Sequence, residues 1–217
     1  MSNADTPLQQ RLATAHTEPG LLGPAATARR AERHGDHITL RAAPSHPVPE
    51  SALVLRGDAV IPQDTWPTGS QAQPGDRWVI SVPATLAARE RFIAWLGDLE
   101  LPAGCSVAPC STSDSGLHRL WCIGAARIVL STDVRIEARH DLLGIRLAQL
   151  ALAMGADTLS GPFEVDRSLP LAGVPRPNES THAGLAALVR NAGLTPQPAG
   201  GSLPSTTAPH ASTQEPA

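Results

Sequence analysis

Short β-rich runs alternate with helical patterns between residues 77 and 159, and this alternation restricts the possible folds of the chain most. The β-rich runs cover residues 77–82, 105–108, 134–138 and 156–159. The helical patterns cover residues 86–96 and 142–154. Between them lies a third helical segment, which the polar run 111–114 can cap and which continues to residue 130. Strands that alternate with helices form a parallel sheet with right-handed crossovers. The chain is therefore predicted to have an α/β fold.

This pattern amounts to about half of a (β/α) barrel, so we predict a partial, TIM-like barrel of parallel strands. Half a barrel leaves an open strand edge, which we expect the N-terminal segment or another subunit to cover. Asp141 is expected to cap the helix 142–154, and Gly155 to end it in a left-handed conformation. Apart from Arg146 and Gln149 that helix is apolar almost all round, which is typical of a core helix or of a partner or dimer interface.

Composition divides the chain into four segments. Residues 1–43 are predicted to form a helical segment and a short strand, and residues 44–76 a proline-rich connection with one β-like run at 52–56. Residues 77–196 form the predicted half-barrel domain. The tail 197–217 is rich in Pro, Ser, Thr and Gly, so we expect it to be disordered.

The 217-residue chain has a net charge of −3, and all 17 of its basic residues are arginine. Without clustered positive charge, binding of nucleic acid or of an anionic membrane surface is not expected. The lack of lysine excludes Schiff-base chemistry and a Walker-type phosphate loop. No apolar run is long enough to span a bilayer and the N-terminus is polar, so we expect a soluble, cytoplasmic protein that is not a membrane protein.

Three successive motifs carry a resemblance to a known family. They are DLLGIRLAQLALAMGADTLSGPF at 141–163, VDRSLPLAG at 165–173 and GLAALVRNAGLTP at 184–196. Together they resemble the C-terminal segment of the radical-SAM group of aminodeoxyfutalosine synthase, dehypoxanthine futalosine cyclase and deazaflavin synthase. The resemblance extends over residues 78–196. It implies the C-terminal half of a barrel and a relation to the futalosine route of menaquinone biosynthesis.

The cluster loop of that family is missing from this sequence. Radical-SAM enzymes hold a [4Fe-4S] cluster on a Cys-x3-Cys-x2-Cys loop, whereas Cys105, Cys110 and Cys122 are separated by four and eleven residues. Cluster ligation needs converging thiolates, so we expect neither the cluster nor S-adenosylmethionine, nor any other cofactor. His118 and Cys122 have helical i, i+4 spacing, but no second ligand pair lies nearby in sequence, and no metal site is predicted.

Candidate site residues lie at the carboxyl ends of the predicted strands, where barrel enzymes bind their substrates. His140 and Asp141 are the predicted catalytic pair for acid–base chemistry, unless Asp141 caps a helix and His140 is a surface loop residue. Arg139 and Cys110 are predicted substrate contacts. A helix N-terminus beside Cys110 would lower the pKa of its thiol, unless Cys110 is merely a small loop residue.

The family resemblance adds Asp157 and Ser160 as substrate-binding candidates. Asp157 matches the first acidic position of the family's acidic segment, and Ser160 stands where the family has a second acidic residue.

Two functions from different classes remain, beside the third possibility of a decaying gene product without a role. The first is a cluster-free, non-catalytic accessory protein of the futalosine route, acting as a homodimer or as a heteromer with a radical-SAM enzyme. The second is an enzyme that binds a futalosine-like nucleoside and uses His140 and Asp141 for acid–base chemistry.

Overall fold

The protein folds around one β-sheet. The computed structural model describes residues 7–17, 19–165 and 179–200. The eight strands of the sheet are β1 (His37–Ala42), β2 (Ala52–Arg56), β3 (Ala59–Gln63), β4 (Arg77–Ser81), β5 (Ser106–Cys110), β6 (Arg135–Arg139), β7 (Thr158–Gly161) and β8 (Thr195–Pro198). The helices in these ranges are α1 (Leu8–Ala15), α2 (Pro19–His34), α3 (Leu86–Gly97), α4 (Gly116–Val129), α5 (His140–Leu143), α6 (Ile145–Leu152) and α7 (His182–Asn191).

The sheet is mostly parallel and has the order β3-β2-β4-β5-β6-β7-β1-β8. The antiparallel pairings in the described sheet are those of β2, with β3 and with β4. From β4 to β7 the strands are parallel, and helices connect them in chain order. The α/β fold with parallel strands predicted from the alternation is confirmed. As described, the sheet remains open and does not close into a barrel.

The N-terminal segment covers the edge that β7 would otherwise leave open, which is one of the two arrangements expected. Strand β1 lies between β7 and β8, with Thr39 opposite both Thr158 and Gln197. Strand β8 runs two residues past Pro196, where the predicted half-barrel domain ends. The rest of the predicted disordered tail, residues 201–217, lies outside the described residues.

Both outer strands of the described sheet contain proline. Pro62 lies in β3, and Pro196 and Pro198 lie in β8. Proline has no N–H to donate to an incoming strand, so such edges are poor templates for association. The sheet edges therefore disfavour pairing between copies of the chain.

The main core lies between the sheet and the helices that cover one of its faces. Helix α4 occupies its centre and packs against α1, α2, α3 and α6. Its Trp121 is buried and donates a hydrogen bond of 3.0 Å from Nε1 to the carbonyl of Ala15, which joins α1 to α4. Cys122 is fully buried on the same helix. In the ranges that the structure describes, no helix has the length and apolarity needed to cross a membrane.

The predicted single helix 142–154 is wrong, because two short helices replace it. Gly144 separates α5 from α6 with φ 83° and ψ 145°, a region that is open essentially only to glycine. Asp141 does not cap a helix, since both of its carboxylate oxygens accept hydrogen bonds from Arg139. Gly155, with φ 84°, has the predicted left-handed conformation after α6.

We predict that Gly144→Ala destabilises the protein by about 1–3 kcal/mol, because alanine is strained in that backbone conformation. The Cβ would meet no atom within 4 Å, so the loss would come from backbone strain alone. Urea unfolding followed by circular dichroism measures it. Gly20→Ala is the matched control, since Gly20 lies in α2 with equally open space around its Cβ position. The control should be stabilising by about 0.5–1 kcal/mol, and equal gains in both variants would contradict a break at Gly144.

Candidate functional site

The carboxyl ends of the parallel strands meet at one edge of the sheet, which we call the carboxyl edge. Cys110 ends β5, Arg139 ends β6, and His140 and Asp141 follow directly. The chain leaving β1 passes the same edge, where the carbonyl of Pro44 accepts a hydrogen bond of 2.8 Å from Arg139 Nη2. Open α/β sheets bind their ligands outside this edge, which makes it the candidate site.

Arg139 holds Asp141 in a two-point ion pair at this edge. Its Nε and Nη2 donate to Oδ1 and Oδ2 of Asp141 at 2.8 and 2.6 Å. Arg139 is only 1% exposed, so the pair is formed away from water. The carboxylate of Asp141 is thereby engaged by a guanidinium, and no hydrogen bond between His140 and Asp141 is formed in the described site.

His140 is buried beside this ion pair rather than exposed on a surface loop. Burial lowers the pKa of His140, and the positive charge of Arg139 lowers it further against the opposing effect of Asp141. The imidazole is therefore neutral at neutral pH. Its ring lies against Gly161 at the end of β7. The contact is so close that a Cβ built on that glycine would lie 2.5 Å from His140 Nε2.

Three nitrogen atoms at the carboxyl edge have no hydrogen-bond partner among the described residues. They are Nη1 of Arg139, Nε2 of His140 and Nε2 of His46. His46 follows β1, and its pKa is lowered by burial and by the charge of Arg139, against the effect of Asp141. Buried polar atoms without partners are uncommon in folded proteins. The edge thus has hydrogen-bonding capacity that the described side chains leave unused.

Cys110 lies at the predicted strand end, but its surroundings reverse the predicted pKa shift. Burial raises the pKa of the Cys110 thiol to about 12, against the smaller effects of Arg139 and Arg119. The side chain packs in a small apolar cluster with Val79 and Leu142. The thiol therefore stays protonated and is a poor nucleophile.

The other two thiols lie apart from Cys110. Cys105 precedes β5 and so lies at the opposite end of that strand, roughly 17 Å away at the usual rise of an extended chain. Cys122 lies on α4, within the main core. All three cysteines are buried and free, and burial raises the pKa of each. They do not share a loop.

Beneath the carboxyl edge, the buried carboxylate of Glu137 in β6 binds side chains from four other strands. Arg77 of β4 donates from Nε and Nη2 at 3.1 and 3.0 Å, and Arg41 of β1 donates at 2.8 Å. Ser106 of β5 and Ser160 of β7 donate at 2.6 and 2.7 Å. Burial alone would raise the pKa of Glu137, but the two arginines and Ser106 outweigh it and lower this pKa to about 2.

Ser160, a predicted substrate contact, donates a hydrogen bond from its hydroxyl to Glu137. Sequence reasoning missed Glu137 and its two arginines. The available signal was the alternation Arg135, Glu137, Arg139 along one strand, which places three charged side chains on the same face of the sheet.

Asp157 lies at the opposite edge of the sheet from the other candidates. It precedes β7 and forms a fully buried ion pair with Arg127 of α4. Its Oδ2 also accepts a hydrogen bond of 2.8 Å from the backbone N–H of Ile136. Nearby His34 is buried, and burial lowers its pKa to about 4. Asp157 therefore joins helix to sheet and does not face the carboxyl edge.

His118 and Cys122 are close, with 3.7 Å between Nε2 and Sγ, but both histidine nitrogens are engaged. Nδ1 accepts from Arg89 at 3.2 Å, and Nε2 lies 2.9 Å from the carbonyl of Val82. Within residues 7–17, 19–165 and 179–200, no group of three or more His, Cys, Asp or Glu side chains is arranged to hold a metal ion. The prediction that the protein has no metal site stays a prediction.

Neither a protein-family model nor a curated protein sequence matches this chain. The resemblance of residues 78–196 to radical-SAM enzymes therefore stays a hypothesis that rests on the motifs alone.

We predict that Asp157→Ala destabilises the protein by ~3–5 kcal/mol, because it leaves the guanidinium of Arg127 buried without a counter-charge. Both side chains of the pair are 0% exposed. Asp133→Ala is the control, since Asp133 pairs with Arg33 at a site where both side chains are more than half exposed. That change should cost less than ~1 kcal/mol. Similar urea midpoints for the two variants would show that the buried pair does not hold α4 to the sheet.

The pKa of Glu137 predicts an acid-sensitive part of the stability. Its folded value of about 2 lies below its ordinary value of 4.5, so the stabilisation is complete above pH 4.5 and is lost as the pH falls toward 2. The shift corresponds to ~3 kcal/mol. The gap in unfolding free energy between wild type and Glu137→Gln should shrink by up to this amount across that interval. The exposed control Glu90→Gln should follow the wild type, and a constant gap for Glu137→Gln would refute the assignment.

Proposed function

We propose that this protein is a cluster-free, non-catalytic accessory or partner protein, related to the radical-SAM enzymes of the futalosine route. In this role its carboxyl edge binds a ligand or partner group without carrying out chemistry on it. The parallel part of the open sheet would correspond to part of a TIM-like barrel.

The observation that carries this proposal is the state of the reactive groups at the carboxyl edge. The carboxylate of Asp141 is engaged by Arg139, and Cys110 is a protonated thiol in an apolar cluster. The same edge keeps unpartnered nitrogens on Arg139 and His140. The carboxylate and the thiol are therefore unavailable for chemistry, while Nη1 of Arg139 and Nε2 of His140 remain available for hydrogen bonds. This combination favours binding.

The position of the thiols supports the cluster-free part of the proposal. A [4Fe-4S] cluster of the radical-SAM type needs three thiolates that converge on one loop. Cys105 and Cys110 lie at opposite ends of β5, and Cys122 is buried within α4. Bringing them together would require the central strand and helix of the fold to unfold.

The alternative, an enzyme that uses His140 and Asp141 for acid–base chemistry, has weaker support. A histidine base is normally oriented by a carboxylate hydrogen-bonded to its second nitrogen. Here Asp141 gives both oxygens to Arg139. The proposed function therefore keeps His140 as a hydrogen-bonding group.

Anaerobic reconstitution with iron and sulfide, followed by light scattering with each candidate futalosine enzyme, tests the proposal. We expect no visible cluster absorbance above that of a Cys105→Ser, Cys110→Ser, Cys122→Ser variant, which reports adventitious iron sulfide. We also expect a stable complex with one of the enzymes. Specific cluster absorbance that the triple variant loses would restore the enzyme hypothesis. Absence of a complex with every candidate would overturn the accessory role.

A further inference from the structure

A cavity of about 500 Å³ lies beside the end of β4, between α3 and the segments that flank the β2–β3 hairpin. Its lining includes Trp66, Trp95, Arg91, Glu50 and Asp64. This volume lies within the usual range of small-molecule sites, ~300–1,000 Å³. None of the residues that line the cavity belongs to the group formed by Cys110, Arg139, His140 and Asp141.

Two tryptophan rings line the cavity, and both are held by contacts within the protein. The ring centroids of Trp66 and Trp95 are 5.5 Å apart, and each ring also packs on Phe92. Trp66 Nε1 donates to the carbonyl of Ser81 at 3.2 Å, and Trp95 Nε1 donates to that of Pro67 at 2.8 Å. Because both indole N–H groups are engaged in the protein, a ligand could contact only the remaining parts of the two rings.

Negative charges outnumber positive charges among the residues that line the cavity. Glu50 and Asp64 contribute two carboxylates, and Arg91 contributes one guanidinium. Among the residues that the structure describes, neither carboxylate has an ion-pair partner within 4 Å. Arg91 instead lies over the ring of Trp66, 4.8 Å from its centroid. The rim therefore carries net negative charge and already holds one cation on an aromatic face.

We propose that this cavity binds a small organic cation with an alkylammonium group, stacked on Trp66 and Trp95 and paired with Glu50 and Asp64. Indole faces attract such cations through the negative face of the ring, and nearby carboxylates complete the recognition. Arg91 competes with the ligand for the face of Trp66. This site is independent of the proposed function, since it neither requires nor excludes an enzyme partner.

Titration with choline, followed by tryptophan fluorescence and calorimetry, tests the site. We expect saturable binding of choline, and binding of its neutral isostere 3,3-dimethylbutan-1-ol that is weaker by roughly 10-fold. The double variant Glu50→Gln, Asp64→Asn should lose about the same factor. Arg91→Ala should bind choline more tightly than the wild type, because the internal competitor is removed.

The control is Asp58→Asn, because Asp58 is an exposed carboxylate on the same hairpin and does not line the cavity. It should leave choline affinity unchanged. Equal affinity for choline and the neutral isostere, no loss in the double variant, or no binding of choline at millimolar concentration would each overturn the proposal. Glu50, Asp64 and Asp58 are exposed. Their substitution should therefore leave the core folded, and a loss of choline binding would not be caused by unfolding.

Discussion

The carboxylate of Glu137 is the interaction on which the described sheet depends most. One side chain of β6 accepts hydrogen bonds from β1, β4, β5 and β7. Burying a charge is costly unless it is paired and fully hydrogen-bonded. Here two arginines and two serines supply that compensation. This part of the sheet face away from the main core can thereby remain polar without leaving an unpaired buried charge.

The carboxyl edge is built directly on this arrangement. Arg139 lies two residues after Glu137 and therefore on the same face of β6, where it continues the row of charged side chains to the end of the strand. Its pairing with Asp141 and the carbonyl of Pro44 joins that edge to the chain leaving β1. The unpartnered nitrogens are thus held on a rigid support. Such rigidity lowers the entropic cost of binding a ligand.

Local periodicity was enough to predict the strands and helices from β4 to β7, because their alternation is written in consecutive residues. The break at Gly144 was missed, since a single glycine inside an apolar helical pattern does not reveal its backbone angles. Asp157 was chosen from the family resemblance and not from its place on a strand, and the structure places it just before β7, Thr158–Gly161, away from the carboxyl edge. The partners of Glu137 could not be inferred, since they come from strands far apart in sequence and only the folded sheet brings them together.

The position of β1 between β7 and β8 has a consequence for how the chain reaches this fold. Strand β1 is synthesised before the other described strands, yet both strands that pair with it lie more than 100 residues later in the sequence. Until those residues leave the ribosome, β1 has no neighbour in the sheet and its apolar side chains lack their final contacts. Pairings between distant segments of this kind slow folding, because the loop must close before the contacts form. The earliest of the described strands must therefore wait for the latest ones.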